Sequence, residues 1–179
     1  EGMRKEIDFF RRAAVFSSRH FDLNLAANAS RVDLRAIIHK VVEASADSRV
    51  QYIHPKEPVW IVANPYRMEE LVLELLTNAR EFAPGENDGG KVEIGVTVEN
   101  DQAVIDFADN GPGIDPSIRP RLFEMYQCYP VNRMGLGLSY VRNIAKAHGG
   151  TVDEVSEKPP GAHFVVRLPI DNTGKEILP

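Results

Sequence analysis

Apolar residues recur along this chain with two periods, one near 3.6 and one of 2, and the switches between them lay out a series of helices and strands. In residues 3–21, Ile7, Phe10, Ala14 and Val15 form the stripe of an amphipathic helix. The following DLNLAANAS is rich in Asp, Asn and Ser, whose side chains compete with the backbone ladder, and reads as a linker. Asp33 is placed to cap a second helix, in which Leu34, Ile37, Ile38, Val41 and Val42 face one way before the polar break Ala46-Asp47-Ser48. Two β-prone runs, 50–53 and 59–62, flank the turn-forming His54-Pro55-Lys56-Glu57-Pro58 and predict an antiparallel pair.

Asn64-Pro65 opens the longest helix, because Asn caps well and Pro is tolerated in a first turn. Met68, Leu71, Val72, Leu75, Leu76 and Ala79 line it as far as Phe82, and Pro84-Gly85 stops it. The alternating runs KVEIGVTVEN and QAVIDFADN, joined at Glu99-Asn100-Asp101, predict a hairpin. A turn-rich DNGPGIDP, a short helical stretch over 118–125, a loop, and a helix over 136–147 ending at Gly149-Gly150 come next. Strands over 151–155 and 162–168 flank the turn Lys158-Pro159-Pro160-Gly161, and DNTGKEILP closes the chain without periodicity. Hairpin-joined strands interspersed with helices predict an α+β fold, a two-layer α/β sandwich whose mixed sheet is covered on one face by helices.

Composition narrows the partners. With 179 residues, 43% hydrophobic and 26% charged, the chain has the size and balance of one main globular domain. A net charge of -5 argues against gripping a nucleic-acid backbone. No run of apolar residues approaches a membrane span, and EGMRKEIDFFRR lacks a signal-peptide core, so the expectation is a cytoplasmic domain with no membrane contact of its own. Cys128 is the only cysteine, which leaves no internal disulfide and no cysteine-based zinc site.

Three constellations carry candidate chemistry. Glu74 and Asn78 stand four apart on the polar face of the long helix, where a carboxylate and an amide oxygen suit a hard cation such as Mg²⁺, although a solvated helix face would look the same. Asp109-Asn110-Gly111-Pro112-Gly113-Ile114 ends an apolar strand in a carboxylate followed by glycines, which suits either a ligand amine at the sheet edge or a plain turn. Gly135-Leu136-Gly137-Leu138 opens a helix, and glycines there expose N–H groups and the positive end of the dipole to phosphate. It is not a P-loop, since no Gly-Lys-Ser/Thr follows, and it succeeds a loop rather than the strand a dinucleotide motif requires.

The succession ELLTNA, DNGPGI, LFE, GLGLSYVRNIAKAHGG and GAHFVVRLP resembles the N, G1, F and G2 boxes and closing strand of the sensor histidine kinase catalytic domain, a GHKL ATPase with the Bergerat fold. The resemblance covers about 31–170 and implies a division into a partial dimerisation-hairpin helix and linker (1–30), an ATP-binding catalytic domain (31–170) and a polar tail (171–179). By resemblance, Asn78 and Glu74 hold Mg²⁺ and Asp109 accepts from the adenine amine. Gly111 and Gly113 shape the pocket wall, and Phe82 lies against the nucleotide. Gly135 and Gly137, with Leu136 and Leu138 in the same segment, face the phosphates of ATP, while Phe123 anchors a mobile lid.

Departures from the family pattern also matter. Glu81 stands where many members carry Lys or Arg, and its charge would repel phosphates. The segment EMYQCYPVNRM is shorter than many lids and leaves Arg133 as its fixed cation and the candidate γ-phosphate clamp, and Arg133-Met134 replaces the usual Gly-Thr. None of His20, His39, His54, His148 and His163 lies in the His-Glu/Asp context of a phospho-acceptor. His148 reads as a helix-terminating cation.

The resemblance implies a protein histidine kinase. It would bind Mg²⁺-ATP and donate the γ-phosphate to a histidine on a dimerisation domain of a homodimeric parent, with a response-regulator receiver domain as the next partner. Residues 1–30 supply at most part of one hairpin helix, so the isolated chain is not expected to autophosphorylate. A degenerate regulatory module that binds nucleotide weakly, and another branch of GHKL ATPase, are the alternatives.

Overall fold

A computed structural model describes residues 24–125, 135–156 and 160–173, so the helix predicted over 3–21, His20, Cys128 and Arg133 lie outside the described residues. Asp33 caps the first described helix as expected. Its Oδ1 accepts from the N–H groups of Arg35 and Val59, both at 3.1 Å, and so ties the start of α1 (Leu34–Ser45) to the strand that follows it in space. Asn64 caps α2 (Pro65–Phe82) by accepting from Tyr66 and Arg67, while its own amide donates to Ala27 O at 2.6 Å. The third helix, α3 (Gly137–Ala147), ends at His148.

Among the described residues, seven strands make two sheets. β1 (Ser30–Asp33) pairs antiparallel with β3 (Trp60–Ala63), and β2 (Val50–Ile53), β4 (Val92–Glu99), β5 (Gln102–Asp109), β7 (His163–Pro169) and β6 (Thr151–Glu154) lie side by side in the order 2-4-5-7-6. Only the β2–β4 pairing is parallel, which makes the larger sheet mixed. The β4–β5 hairpin closes as the sequence predicts, with Asn100 and Asp101 both at positive φ (49° and 59°), the geometry a two-residue turn needs to follow strand twist.

The pair predicted over 50–53 and 59–62 does not form. The stretch between the two strands holds Pro55 and Pro58 and is no tight turn. The Arg35 guanidinium draws it across the start of α1 by donating to the carbonyls of Pro55 and Lys56. β2 joins β4 instead, setting Tyr52 beside Ile94, and β3 joins β1, whose first residue closes the stretch read as linker. The short helix predicted over 118–125 is a 3₁₀ turn at Arg119–Arg121.

Helices cover one face of the larger sheet. The rows Ile94–Phe107–Phe164 and Val96–Ile105–Val166–Val152 meet the apolar stripes of α2 and α3, and Leu71, Leu75, Ile94, Ile105 and Ile144 are almost wholly buried. The other face carries Asp106, His163, Arg167 and Asp153, with His163 Nε2 2.8 Å from Asp106 Oδ1. Under the usual value for apolar burial, each fully buried Leu or Ile contributes about 1.5–3 kcal/mol.

Between α1 and β2 the buried Asp47 carboxylate joins two arginines, meeting Arg49 Nη2 and Arg80 Nε at 2.7 Å each. The hydrogen bond from Arg49, helped by that from Arg80, outweighs desolvation and holds its pKa well below the usual carboxylate range. A depressed acid stabilises the fold above the pKa of the unfolded chain and loses that contribution as the pH falls through the folded value. Asp47→Asn should therefore lower stability by about 2–3 kcal/mol at neutral pH. In urea titrations the gap between wild type and D47N should stay constant down to about pH 5 and narrow below about pH 4.

Candidate functional site

Glu74, Asn78 and Phe82 fall one turn apart on α2, so they form a single stripe about 12 Å long beside the apolar face that packs on the sheet. At its C-terminal end the stripe meets the end of β5. A Cβ on Gly111 would lie 2.4 Å from Phe82 O, so only a glycine lets the loop after β5 touch the last turn of α2. Phe82 leaves 36% of its surface exposed beside this contact.

Asp109 ends β5 half-buried. Its Oδ1 accepts from the N–H of Gly111 at 2.8 Å and from that of Ala162 at 3.3 Å. Among the described residues its other oxygen accepts no hydrogen bond. Burial raises its pKa above the ordinary aspartate value, and the two backbone N–H groups oppose that rise without cancelling it. Gly161, at φ +102°, passes so close that a Cβ there would sit 1.8 Å from Asp109 O, while Gly113, at φ +78°, faces the carbonyl of Gly161. The loop after β5 and the segment that leads into β7 therefore converge on one carboxylate.

At its other end the stripe meets the start of α3. A Cβ on Gly137 would lie 2.7 Å from Glu74 Oε2, which puts that carboxylate over the glycine backbone. Gly135 has φ +60°, Leu136 is buried, and Leu138 packs against the core. Leu136 opens the helix with no side-chain cap, and the Ser139 hydroxyl turns back to Leu136 O at 2.8 Å. Leu136 at the cap position thus offers no side-chain acceptor of its own to the first turn.

Sequence reasoning missed what locks α3 to α2. The Tyr140 hydroxyl, on a buried ring, donates to Glu70 Oε2 at 2.6 Å and accepts from Arg67 Nη1 at 2.8 Å, and Arg67 pairs with Glu70 at the same distance. Burial, with the Glu70 carboxylate beside it, pushes the phenol upward. Glu70, four residues before Glu74, was the one available signal, but nothing local pairs it with a tyrosine 70 positions away. His148 closes the other end. Its Nδ1 bonds Ile144 O at 2.8 Å and Nε2 accepts the Asn64 N–H at 3.1 Å, which joins the end of α3 to the cap of α2. His148 therefore terminates α3, as the sequence predicts, and also reaches the cap of α2.

Phe123 packs edge-on to Phe164, 6.3 Å between centroids. Glu81 is exposed at the end of α2. No group of three or more His, Cys, Asp or Glu side chains among the described residues is arranged to hold a metal, which leaves Glu74 and Asn78 as the oxygen donors the sequence singled out. No helix among them is long and apolar enough to cross a membrane.

Residues 63–172 match the family described as histidine kinase-, DNA gyrase B-, and HSP90-like ATPase. The chain belongs to this family, as a sensor histidine kinase ATPase domain. It is 30% identical to the sensor protein ChvG of Rhizobium meliloti (strain 1021) over 87% of this chain and 31% of that protein. It is also 30% identical to the adaptive-response sensory kinase SasA of Prochlorococcus marinus (strain MIT 9303), over 92% of this chain and 44% of that protein. It therefore spans less than half the length of these relatives. Among solved structures, the mycobacterial sensor histidine kinase MprB superposes with a TM-score of 0.69 at 26% identity, over 79% of this chain and 98% of that one. Full-length ShkA, in complex with AMPPNP, shares the fold with a TM-score of 0.75 at 23% identity, over 89% of this chain and 35% of that one.

In this ATPase domain the crossing of Gly161 over Asp109 sets the position of the carboxylate. Gly161→Ala forces both a positive φ and a backbone clash on an L-residue, so thermal unfolding should show a loss of about 2 kcal/mol or more. Pro160→Ala, beside it, serves as the control and should stay within about 0.5 kcal/mol of wild type.

Proposed function

We propose that this domain binds Mg²⁺-ATP and donates the γ-phosphate to a histidine on a dimerisation domain, from which a response-regulator receiver domain takes it. The observation that carries the reading is the α2 stripe, which joins a half-buried acceptor at Asp109 to the glycine-bearing helix start at Gly137 over about 12 Å. A nucleotide has the same polarity, with an amine-bearing base at one end and an anion at the other.

Asp109 would receive the exocyclic amine of adenine on the oxygen that backbone donors leave open, with Gly111 and Gly113 as the wall and Phe82 against the base. Gly135, Leu136, Gly137 and Leu138 would present backbone to the phosphates, where the α3 dipole favours negative charge. Mg²⁺ takes one or two protein oxygens plus phosphates and waters, and the pairing of one carboxylate with one amide at Glu74 and Asn78 fits that demand. Bound there, the ion would offset charge on the transferring phosphoryl group. The protein's own share is positioning: α2 holds the two donors in register, the Tyr140–Glu70–Arg67 cluster keeps α3 against them, and Arg133 supplies a cation from the lid. The complex of full-length ShkA with AMPPNP supports a nucleotide as ligand.

A regulatory module that binds nucleotide without transferring phosphate is the second reading, favoured by Glu81, an exposed carboxylate beside the stripe. Transfer of label from γ-labelled ATP to an added dimerisation hairpin of the parent kinase supports the kinase reading. Bound nucleotide with no transfer to that hairpin supports the module.

Two measurements test the assignments. By calorimetry, Asp109→Asn should weaken ADP binding by about 1.5–3 kcal/mol while the far-UV spectrum is kept. Because burial raises the Asp109 pKa, protonation should abolish its acceptor at a higher pH than for an exposed aspartate, so wild-type affinity should fall on acidification and that of D109N should stay nearly flat. Asn78→Ala should remove most of the Mg²⁺ dependence of ATP binding. A full metal effect in the mutant would put the cation on other residues.

A further inference from the structure

The larger sheet ends on β6, and no strand among the described residues covers its outer edge. In the ladder with β7, Val155 N–H donates to His163 O at 2.8 Å. By alternation Asp153 and Thr151 also point inward, and the N–H and C=O groups of Val152 and Glu154 turn to the free edge. Such an edge is a ready template for another strand. An open cleft of about 620 Å³ runs along it, walled by β6, by Arg142 and Lys146 of α3, and by Arg119 and Phe123.

The charges in this cleft are unequal. Glu154 is answered by Arg119 Nε at 3.3 Å and by the Ser156 N–H at 3.0 Å, and Asp153 faces Arg167 at 3.4 Å. Among the described residues Arg142 and Lys146 make no ion pair, and the buried Nε of Arg142 has no hydrogen-bond partner. The cleft is thus a cationic strip on a chain of net charge -5. Its spacing also suits a strand. Arg142 and Lys146 are four residues apart on a helix, about 6 Å along its axis, and alternate side chains of a strand repeat at about 6.7 Å.

We propose that the free edge of β6 docks an extended acidic segment of a partner protein, which adds to the five-stranded sheet and sets Asp or Glu at alternate positions against Arg142 and Lys146. Backbone pairing to Val152 and Glu154 supplies the attachment, and the two cations select the sequence. The interaction is independent of the nucleotide assignment, because neither cation belongs to that site.

The test uses the full chain and a fluorescein-labelled peptide of alternating Glu and Thr, with a Lys-for-Glu peptide and a backbone N-methylated copy as controls. The acidic peptide should bind saturably at about 50 mM salt with a Kd below about 100 μM, and salt should weaken it. Lys146→Glu, at an exposed position that leaves the core intact, and Arg142→Gln should each weaken binding, roughly tenfold for the charge reversal. The N-methylated copy should bind as poorly as the Lys peptide. Amide shifts should concentrate in Thr151–Glu154 and the second half of α3. No saturable binding by about 1 mM, equal binding of the N-methylated copy, indifference to K146E, or shifts confined elsewhere would each overturn the proposal. So would full displacement by inorganic phosphate without shifts in β6, which would leave only an anion site.

Discussion

α2 carries one apolar stripe, Met68, Leu71, Val72, Leu75, Leu76 and Ala79, and all six residues are buried. A helix with a single such stripe has one way to face a sheet, and burial of that stripe is the largest favourable term available to it. Once it is packed, the directions of Glu74, Asn78 and Phe82 follow with no further choice. The polar side of the site is therefore fixed by the core beneath it, and a shift of α2 on the sheet would displace all three together.

The remaining parts are held against this frame by partly buried polar contacts. Tyr140, Glu70 and Arg67 satisfy one another between α2 and α3, and His148 uses both ring nitrogens to join the end of α3 to the amide of Asn64. Partly buried polar groups of this kind are costly to leave unpaired, so they resist alternative helix positions that apolar packing alone would tolerate. Asn64 gains a third role by donating to Ala27 O, which brings the segment around Leu25 onto the core. Cap, bridge and anchor thus meet in one side chain.

At the opposite end of the stripe, Asp109 sits where β5 stops and the β6–β7 loop crosses. Two N–H groups and partial burial act on its carboxylate in opposite senses, and burial prevails. The crossing depends on Gly161 at positive φ and on Gly111 lying against Phe82 O, both of them backbone contacts with no room for a side chain. The sheet's last strand among the described residues, β6, follows α3 and leaves a polar edge away from the α2 stripe.

Most local structure was legible in the sequence because it rests on local physics. Asp33 and Asn64 cap where expected, the apolar stripe of α2 is the buried one, and the β4–β5 hairpin closes on Asn100-Asp101. The order of motifs from ELLTNA to GAHFVVRLP carried the family, and the matched family and fold agree with it. Pairing between distant segments was not legible. β1 offered Val32 as its one strong apolar residue, and nothing in residues 50–63 said that β2 would run parallel to β4 while β3 turned to β1; Arg35, from another element, settled that by drawing the proline segment aside. The same holds at the site. Sequence could name Asp109, Gly111 and Gly161 separately, but only the folded chain brings Ala162 N–H to Asp109, Tyr140 to Glu70 and Gly137 to Glu74, because hydrogen bonds and close approaches across many residues are decided by how whole elements pack.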